Sequence, residues 1–189
     1  MKFSIVSYLD ESTTTKVRTI QNTISQLTGS RAVLVSWFPH ITLGDGIITN
    51  GNQERRNFLS DMQVMCQTMR PFNVTISGFG QMDNWSGGIG KRASPYVLYI
   101  KISIDNELLN AVNKIGAITL RYPKWYHMPH PYLPHVTVAF RDLTKQGFDL
   151  GLNYLKNQEI NVSSKIDHIA LVEKLPDSDV ERVRFSLNN

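Results

Sequence analysis

Two copies of one short string, Pro39-His40-Ile41-Thr42-Leu43 and Pro134-His135-Val136-Thr137-Val138, lie about half of the 189-residue chain apart. A β-strand sends residues i and i+2 to the same face. In each copy the His and the Thr therefore share one face, while Ile41, Leu43, Val136 and Val138 are buried on the other. Proline is tolerated at the first residue of a strand, so each string reads as a strand start. Two such strands facing each other gather two imidazoles and two hydroxyls around one pocket. That set of groups suits acid–base chemistry on a phosphodiester without a metal.

The rest of the chain repeats a plan around these strings. Phe3 to Leu9 reads as a strand, and Val17, Ile20, Ile24 and Leu27 follow helical spacing, with Ser12 and Thr13 as cap candidates and Gly29 as the stop. Val33 to Leu43 is β-rich and carries the first motif. Leu59, Met62, Cys66 and Met69 predict a helix stopped by Pro71, and Phe72, Val74 and Ile76 a strand that ends at Gly78. The order then recurs. A strand (Leu98 to Ile104) is followed by a helix capped by Asp105, a long loop from Arg121 to Pro134, the second motif strand and a helix capped by Thr144. Strand-like segments follow near 160–162, 166–172 and 180–187. The expected fold is α+β within one domain, 1–189. Two pseudo-symmetric halves, about 1–80 and 96–189, are joined by a Gly-rich loop; their antiparallel-rich sheets face a central cleft, with helices outside.

These two motifs in a chain of this length and element order resemble the 2H phosphoesterase superfamily, named for two His-x-Thr/Ser motifs in a bilobal fold. The superfamily includes bacterial RNA 2′,3′-cyclic phosphodiesterases (also described as 2′-5′ RNA ligases), eukaryotic cyclic phosphodiesterases and viral 2′,5′-phosphodiesterases. The resemblance covers nearly the whole chain in element order, and the two motifs are its specific part. It implies His40 and His135 as the catalytic pair and Thr42 and Thr137 as the phosphate-binding hydroxyls. The first motif departs from the RNA-ligase-like pattern, because it runs into Gly44-Asp45-Gly46 where an aromatic and a further apolar residue are usual.

The residue types explain the chemistry. Imidazole titrates near 6.5 when unperturbed, so near neutrality one His can be neutral and its partner protonated. One takes a proton from water or a ribose hydroxyl; the other gives a proton to the departing ribose oxygen. Threonine hydroxyls hydrogen-bond to the non-bridging oxygens as charge builds there. The expected reaction is the opening of a 2′,3′-cyclic phosphate on an RNA end or nucleotide, with no cofactor and no metal; ligation would be the reverse. The alternatives are cleavage of 2′-5′ oligoadenylate or another signalling nucleotide, and, from a different class, an RNA-binding module without turnover. Substrate-binding candidates around the motifs are Tyr132, Trp125, Arg141 and Lys91. Trp37 and Phe38, in an apolar stretch, read as core, and His168 as a structural histidine.

Other features narrow the field. His127, His130 and His135 lie close in sequence, but Pro129, Pro131 and Pro134 exclude a helix presenting them together, and neither Cys nor a nearby carboxylate supports zinc. Gly87-Gly-Ile-Gly-Lys91-Arg92 lacks the spacing and the Ser/Thr of a phosphate loop. No apolar run approaches the ~20 residues of a membrane span, and the N-terminal segment does not read as a signal peptide. A single cysteine, Cys66, points to the cytoplasm. The formal charge of +4 is compatible with an anionic substrate, and no basic run marks a double-stranded DNA partner. A monomer is expected.

Overall fold

Among the described residues, nine strands and five helices form where apolar periodicity, caps and breakers coincide. A computed structural model describes residues 1–36, 38–85, 94–175 and 178–188. In chain order the elements are β1 (Lys2–Tyr8), α1 (Glu11–Thr28), α2 (Ala32–Ser36), β2 (His40–Ile48), α3 (Asn52–Gln67), β3 (Phe72–Met82) and β4 (Ser94–Ile102). There follow α4 (Asn106–Thr119), β5 (Lys124–Tyr126), β6 (His135–Arg141), α5 (Lys145–Leu155), β7 (Asn161–Ile166), β8 (His168–Lys174) and β9 (Asp179–Ser186). Asp105 and Thr144 cap α4 and α5 by accepting from the backbone N–H of Leu108 and Gly147. The cap of α1 is Asp10, not Ser12 or Thr13. Its carboxylate accepts from the Thr13 N–H, the Ser12 hydroxyl and the Lys165 N–H, and these bonds hold it down at about 2 against its partial burial.

The strands make two antiparallel sheets, ordered β5-β2-β1-β8-β9 and β6-β4-β3-β7. Each motif strand pairs with a strand that precedes it in the chain: β2 with β1 and β6 with β4. Each sheet is nevertheless assembled from both parts of the chain. β8 and β9 join the first sheet, and β3 crosses to the second. The helices cross as well. α1 packs with α5 on the second sheet, and α4 packs with α3 on the first. The helix-facing sides of both sheets share one buried cluster that includes Phe3, Ile41, Phe58, Leu98, Val138 and Phe148. At ~25 cal/mol per Å² of apolar surface, this interlocked burial is the main force holding the two sheets in fixed relation.

Four further local expectations differ from the structure. The stretch from Val33 does not run as one strand into the motif: Ala32–Ser36 is the short helix α2, and the strand starts at His40. The cause is tertiary. The Asp142 carboxylate accepts from the Ser30 hydroxyl (2.5 Å) and the backbone N–H of Arg31 (2.8 Å) and Ala32 (3.1 Å), which caps a turn that its β-branched residues disfavour. β3 does not end at Gly78 but continues to Met82. Gly78 takes a left-handed φ of 71° at an irregularity in the ladder, and a Cβ on Gly80 would collide with the Tyr99 ring. The glycines here serve the strand rather than a loop; residues 86–93 lie outside the described residues. The loop from Arg121 contains β5, whose three residues are too few to show a period; it pairs with β2 at Gly46 and Ile47. Finally, α3 begins at Asn52, a turn and more before its first apolar anchor.

Candidate functional site

Both motif strands turn their His-Thr faces into one cavity. Ile41, Leu43, Val136 and Val138 are buried on the opposite faces, as period-2 alternation demands. His40, Thr42, His135 and Thr137 all line the cavity, together with Trp125, Arg141 and Lys174. In register, His40 sits opposite Tyr8 and Thr42 opposite Val6; His135 sits opposite Lys101 and Thr137 opposite Tyr99. The two pairs thus occupy equivalent places in the two sheets.

The histidines are held in the same way. His40 Nδ1 lies 2.8 Å from the Phe38 carbonyl oxygen, and His135 Nδ1 lies 2.9 Å from that of Leu133. A carbonyl only accepts, so each Nδ1 carries the proton, and Nε2 is the nitrogen that exchanges one. Burial pushes His40 down to about 4, opposed by the Phe38 bond and reinforced by repulsion from His135 and Lys174. Burial lowers His135 as well. Both imidazoles are therefore neutral near pH 7 before an anion enters.

The cavity suits an anion. Among the described residues no carboxylate lines it, while Arg141 and Lys174 do. Lys174 is itself bonded to Asp179 at 2.6 Å, and burial lowers its pKa. Arg141 has φ 62°, an uncommon value for a non-glycine residue, and its guanidinium lies 4.9 Å from the Phe140 ring centre. Among the described residues no three His, Cys, Asp or Glu side chains are grouped to hold a metal ion. His127 lies 3.8 Å from Asp45, His130 is exposed, and neither lines the cavity with His135.

Trp125 and Arg141 line the cavity. Trp125 is also committed below it: its indole N–H donates to the Phe3 carbonyl (3.0 Å), and its ring fills the space where a Cβ on Gly46 would stand, 2.5 Å away. A Cβ on Gly44 would lie 2.6 Å from Ile115, so the Gly-Asp-Gly departure after the first motif accommodates α4 and Trp125. Asp45 between them accepts from the Met128 N–H at 2.8 Å and anchors the loop before the second motif. Tyr132 is not among the residues that line the cavity; it packs against the core, with its hydroxyl donating to the Thr42 carbonyl (2.8 Å). Lys91 and Trp37 lie outside the described residues. Phe38, expected in the core, is 68% exposed at the cavity rim, with the Arg18 guanidinium 5.5 Å from its ring centre. It leaves the core because α2 and Pro39 turn the chain before the strand begins.

Sequence reasoning missed Gln21 and Lys174, which also line the cavity. Gln21 had a readable signal, since it falls with Val17 and Ile24 on the apolar stripe of α1 and is 1% exposed. Lys174 ends a strand buried on both faces, where no alternation marks the cleft side. His168 bonds to Asp167 (2.7 Å), and its ring lies tilted beside that of Tyr8, 5.8 Å between centres, away from the cavity lining.

Residues 9–177 match the model of the 2′-5′ RNA ligase superfamily. No curated protein matches the sequence. Among solved structures, the fold is similar to TT0787 of Thermus thermophilus, with TM-score 0.64 and 19% identity over 100% of this chain and 99% of that one. It is similar to E. coli LigT complexed with 3′-AMP, with TM-score 0.67 and 12% identity over 100% and 98%. Kluyveromyces marxianus Usb1 gives TM-score 0.59 and 10% identity over 98% of each chain. No helix among the described residues is long and apolar enough to cross a membrane.

Proposed function

The chain belongs to the 2′-5′ RNA ligase superfamily, and from that premise we propose that it is a metal-independent phosphodiesterase that opens 2′,3′-cyclic phosphates on RNA ends or nucleotides. The observation that carries this reading is the convergence of His40, Thr42, His135 and Thr137 on one cavity bordered by Arg141 and Lys174 and by no described carboxylate. The 3′-AMP bound by LigT, a protein of similar fold, supports a nucleotide ligand.

In the reaction, water oxygen attacks phosphorus as one histidine Nε2 takes its proton. The bond from phosphorus to one ribose oxygen breaks, and the other histidine gives that oxygen a proton. The product is a ribose phosphomonoester, and proton exchange with solvent resets the pair. Thr42 and Thr137 donate hydrogen bonds to the non-bridging oxygens, where they stabilise developing charge. Arg141 and Lys174 add positive potential, and Trp125 supplies an aromatic wall.

The lowered histidine pKa values set the pH dependence. The free protein needs one imidazole protonated and one neutral. Because both are pushed below about 6.5 by burial, the protonated fraction of the acid falls as pH rises through a value below 6.5. The kcat/KM profile is therefore a bell with its maximum on the acid side of about 6.5. A bound phosphate anion raises the acid's pKa, so the alkaline limb of kcat lies at higher pH. An alkaline limb of kcat/KM well above neutrality would contradict this assignment.

The test is turnover in EDTA of a panel: 2′,3′-cyclic mononucleotides, RNA ending in a cyclic phosphate, and 2′-5′ oligoadenylate. Turnover of the cyclic phosphates supports the reading. Preference for 2′-5′ oligoadenylate transfers the site to that substrate. RNA binding without turnover of any member identifies a binding module.

A further inference from the structure

We infer that Tyr132 and Gln21 are positioning residues: each bonds the backbone carbonyl of a motif threonine and so aims that threonine's hydroxyl at the phosphate. The inference rests on the phosphate-binding role proposed above for Thr42 and Thr137. Tyr132 Oη donates to the Thr42 carbonyl at 2.8 Å, and Gln21 Nε2 donates to the Thr137 carbonyl at 2.8 Å.

The topology explains why such bonds are needed. β6 is an edge strand of its sheet, and β5 covers β2 only at Gly46 and Ile47. At Thr42 and Thr137, therefore, the side of the motif strand away from its ladder partner has no hydrogen-bonded strand. An unanswered carbonyl there would be hydrated or would let the strand shift. A side chain answers it in both places. Each comes from the other half of the chain: Tyr132 from the segment before the second motif reaches the first, and Gln21 from α1 reaches the second. The braces therefore also couple the two motifs to each other.

Neither group is held loosely. Tyr132 packs against the main core. Gln21 is almost fully buried, and its Oε1 accepts from Arg18 at 3.1 Å. Arg18 in turn donates to the Val33 carbonyl at 3.4 Å and lies over Phe38. Gln21 thus links the carbonyl of the second motif to the segment that leads into the first. A hydroxyl displaced by a few tenths of an ångström binds phosphate more weakly and loses aim at the charge of the transition state.

The experiment is a pair of double-mutant cycles, Tyr132→Phe with Thr42→Val and Gln21→Met with Thr137→Val, read by inorganic phosphate affinity and by kcat. Tyr132→Phe removes one oxygen and keeps the ring. Each brace variant alone is expected to weaken phosphate binding and lower kcat by about 3–10-fold. In the matching threonine variant the same change is expected to add less than about twofold, because a brace acts only through its threonine. Gln21→Glu keeps an acceptor for Arg18 but has no donor for the Thr137 carbonyl, so it should behave as Gln21→Met does. Folded brace variants with unchanged phosphate affinity and kcat would overturn the inference, as would losses that multiply fully in the double variants. Should Gln21→Met not fold, the Tyr132→Phe cycle decides. Coupling in phosphate affinity without turnover of any phosphodiester would uphold the braces while removing the proposed reaction. Failure of the wild type to bind phosphate would overturn the braces.

Discussion

Alanine at either His40 or His135 is expected to lower kcat by about 10²–10⁴-fold, the worth of a positioned general acid or base. The protein should remain folded, because both side chains face the cavity and the apolar faces of their strands are untouched. The two losses differ in kind. The histidine that acts as acid is dispensable for a phosphodiester whose leaving oxygen departs without a proton. An aryl phosphodiester should therefore rescue one variant and not the other, which assigns the roles. Steady-state rates on a 2′,3′-cyclic nucleotide and on an aryl phosphodiester, with circular dichroism as the check on folding, make the comparison. Full activity in either folded variant would remove that histidine from the chemistry.

Valine at Thr42 or Thr137 is expected to cost about 10²–10³-fold in kcat, comparable to the loss of one oxyanion donor. Valine keeps the branched shape that suits a strand and removes only the hydroxyl. Serine at the same position keeps the donor and should retain most of the activity. The two sites are expected to lose similar amounts, because Thr42 and Thr137 occupy equivalent places opposite Val6 and Tyr99 in the two sheets. Kinetics of Thr42→Val, Thr42→Ser, Thr137→Val and Thr137→Ser on one substrate test this. A valine variant as active as its serine counterpart would show that the hydroxyl there does not meet the transition state.

Much of this arrangement was legible in the sequence because it is local. Period-2 alternation around His40 and His135 gave the strand faces, and Asp105, Thr144 and Gly29 gave helix ends that need no tertiary help. What stayed hidden depends on contacts between distant segments. The helix α2 exists because Asp142, more than a hundred residues away, caps it. Phe38 leaves the core for the same reason. β5 is visible only against the edge of β2. The exchange of β3, β8 and β9 between the sheets leaves no mark on local periodicity, and it delivers Lys174 to the cavity. Tyr132 was legible as a residue near the site but not as to its role, because a tyrosine that stacks on a base and one that braces a strand present the same local pattern. Gln21 was readable in principle: a polar residue on the apolar stripe of an amphipathic helix calls for a buried partner.

The central claim is that two histidines from two sheets act on one phosphodiester as a single unit. The most direct test is kcat of the His40→Ala/His135→Ala double variant beside both single variants, on a 2′,3′-cyclic nucleotide in EDTA. Groups that serve one transition state are strongly non-additive. The account predicts a double-variant rate within about threefold of the slower single variant. A double variant whose loss equals the product of the two single losses would mean that the histidines act independently, and the single-site account would be wrong.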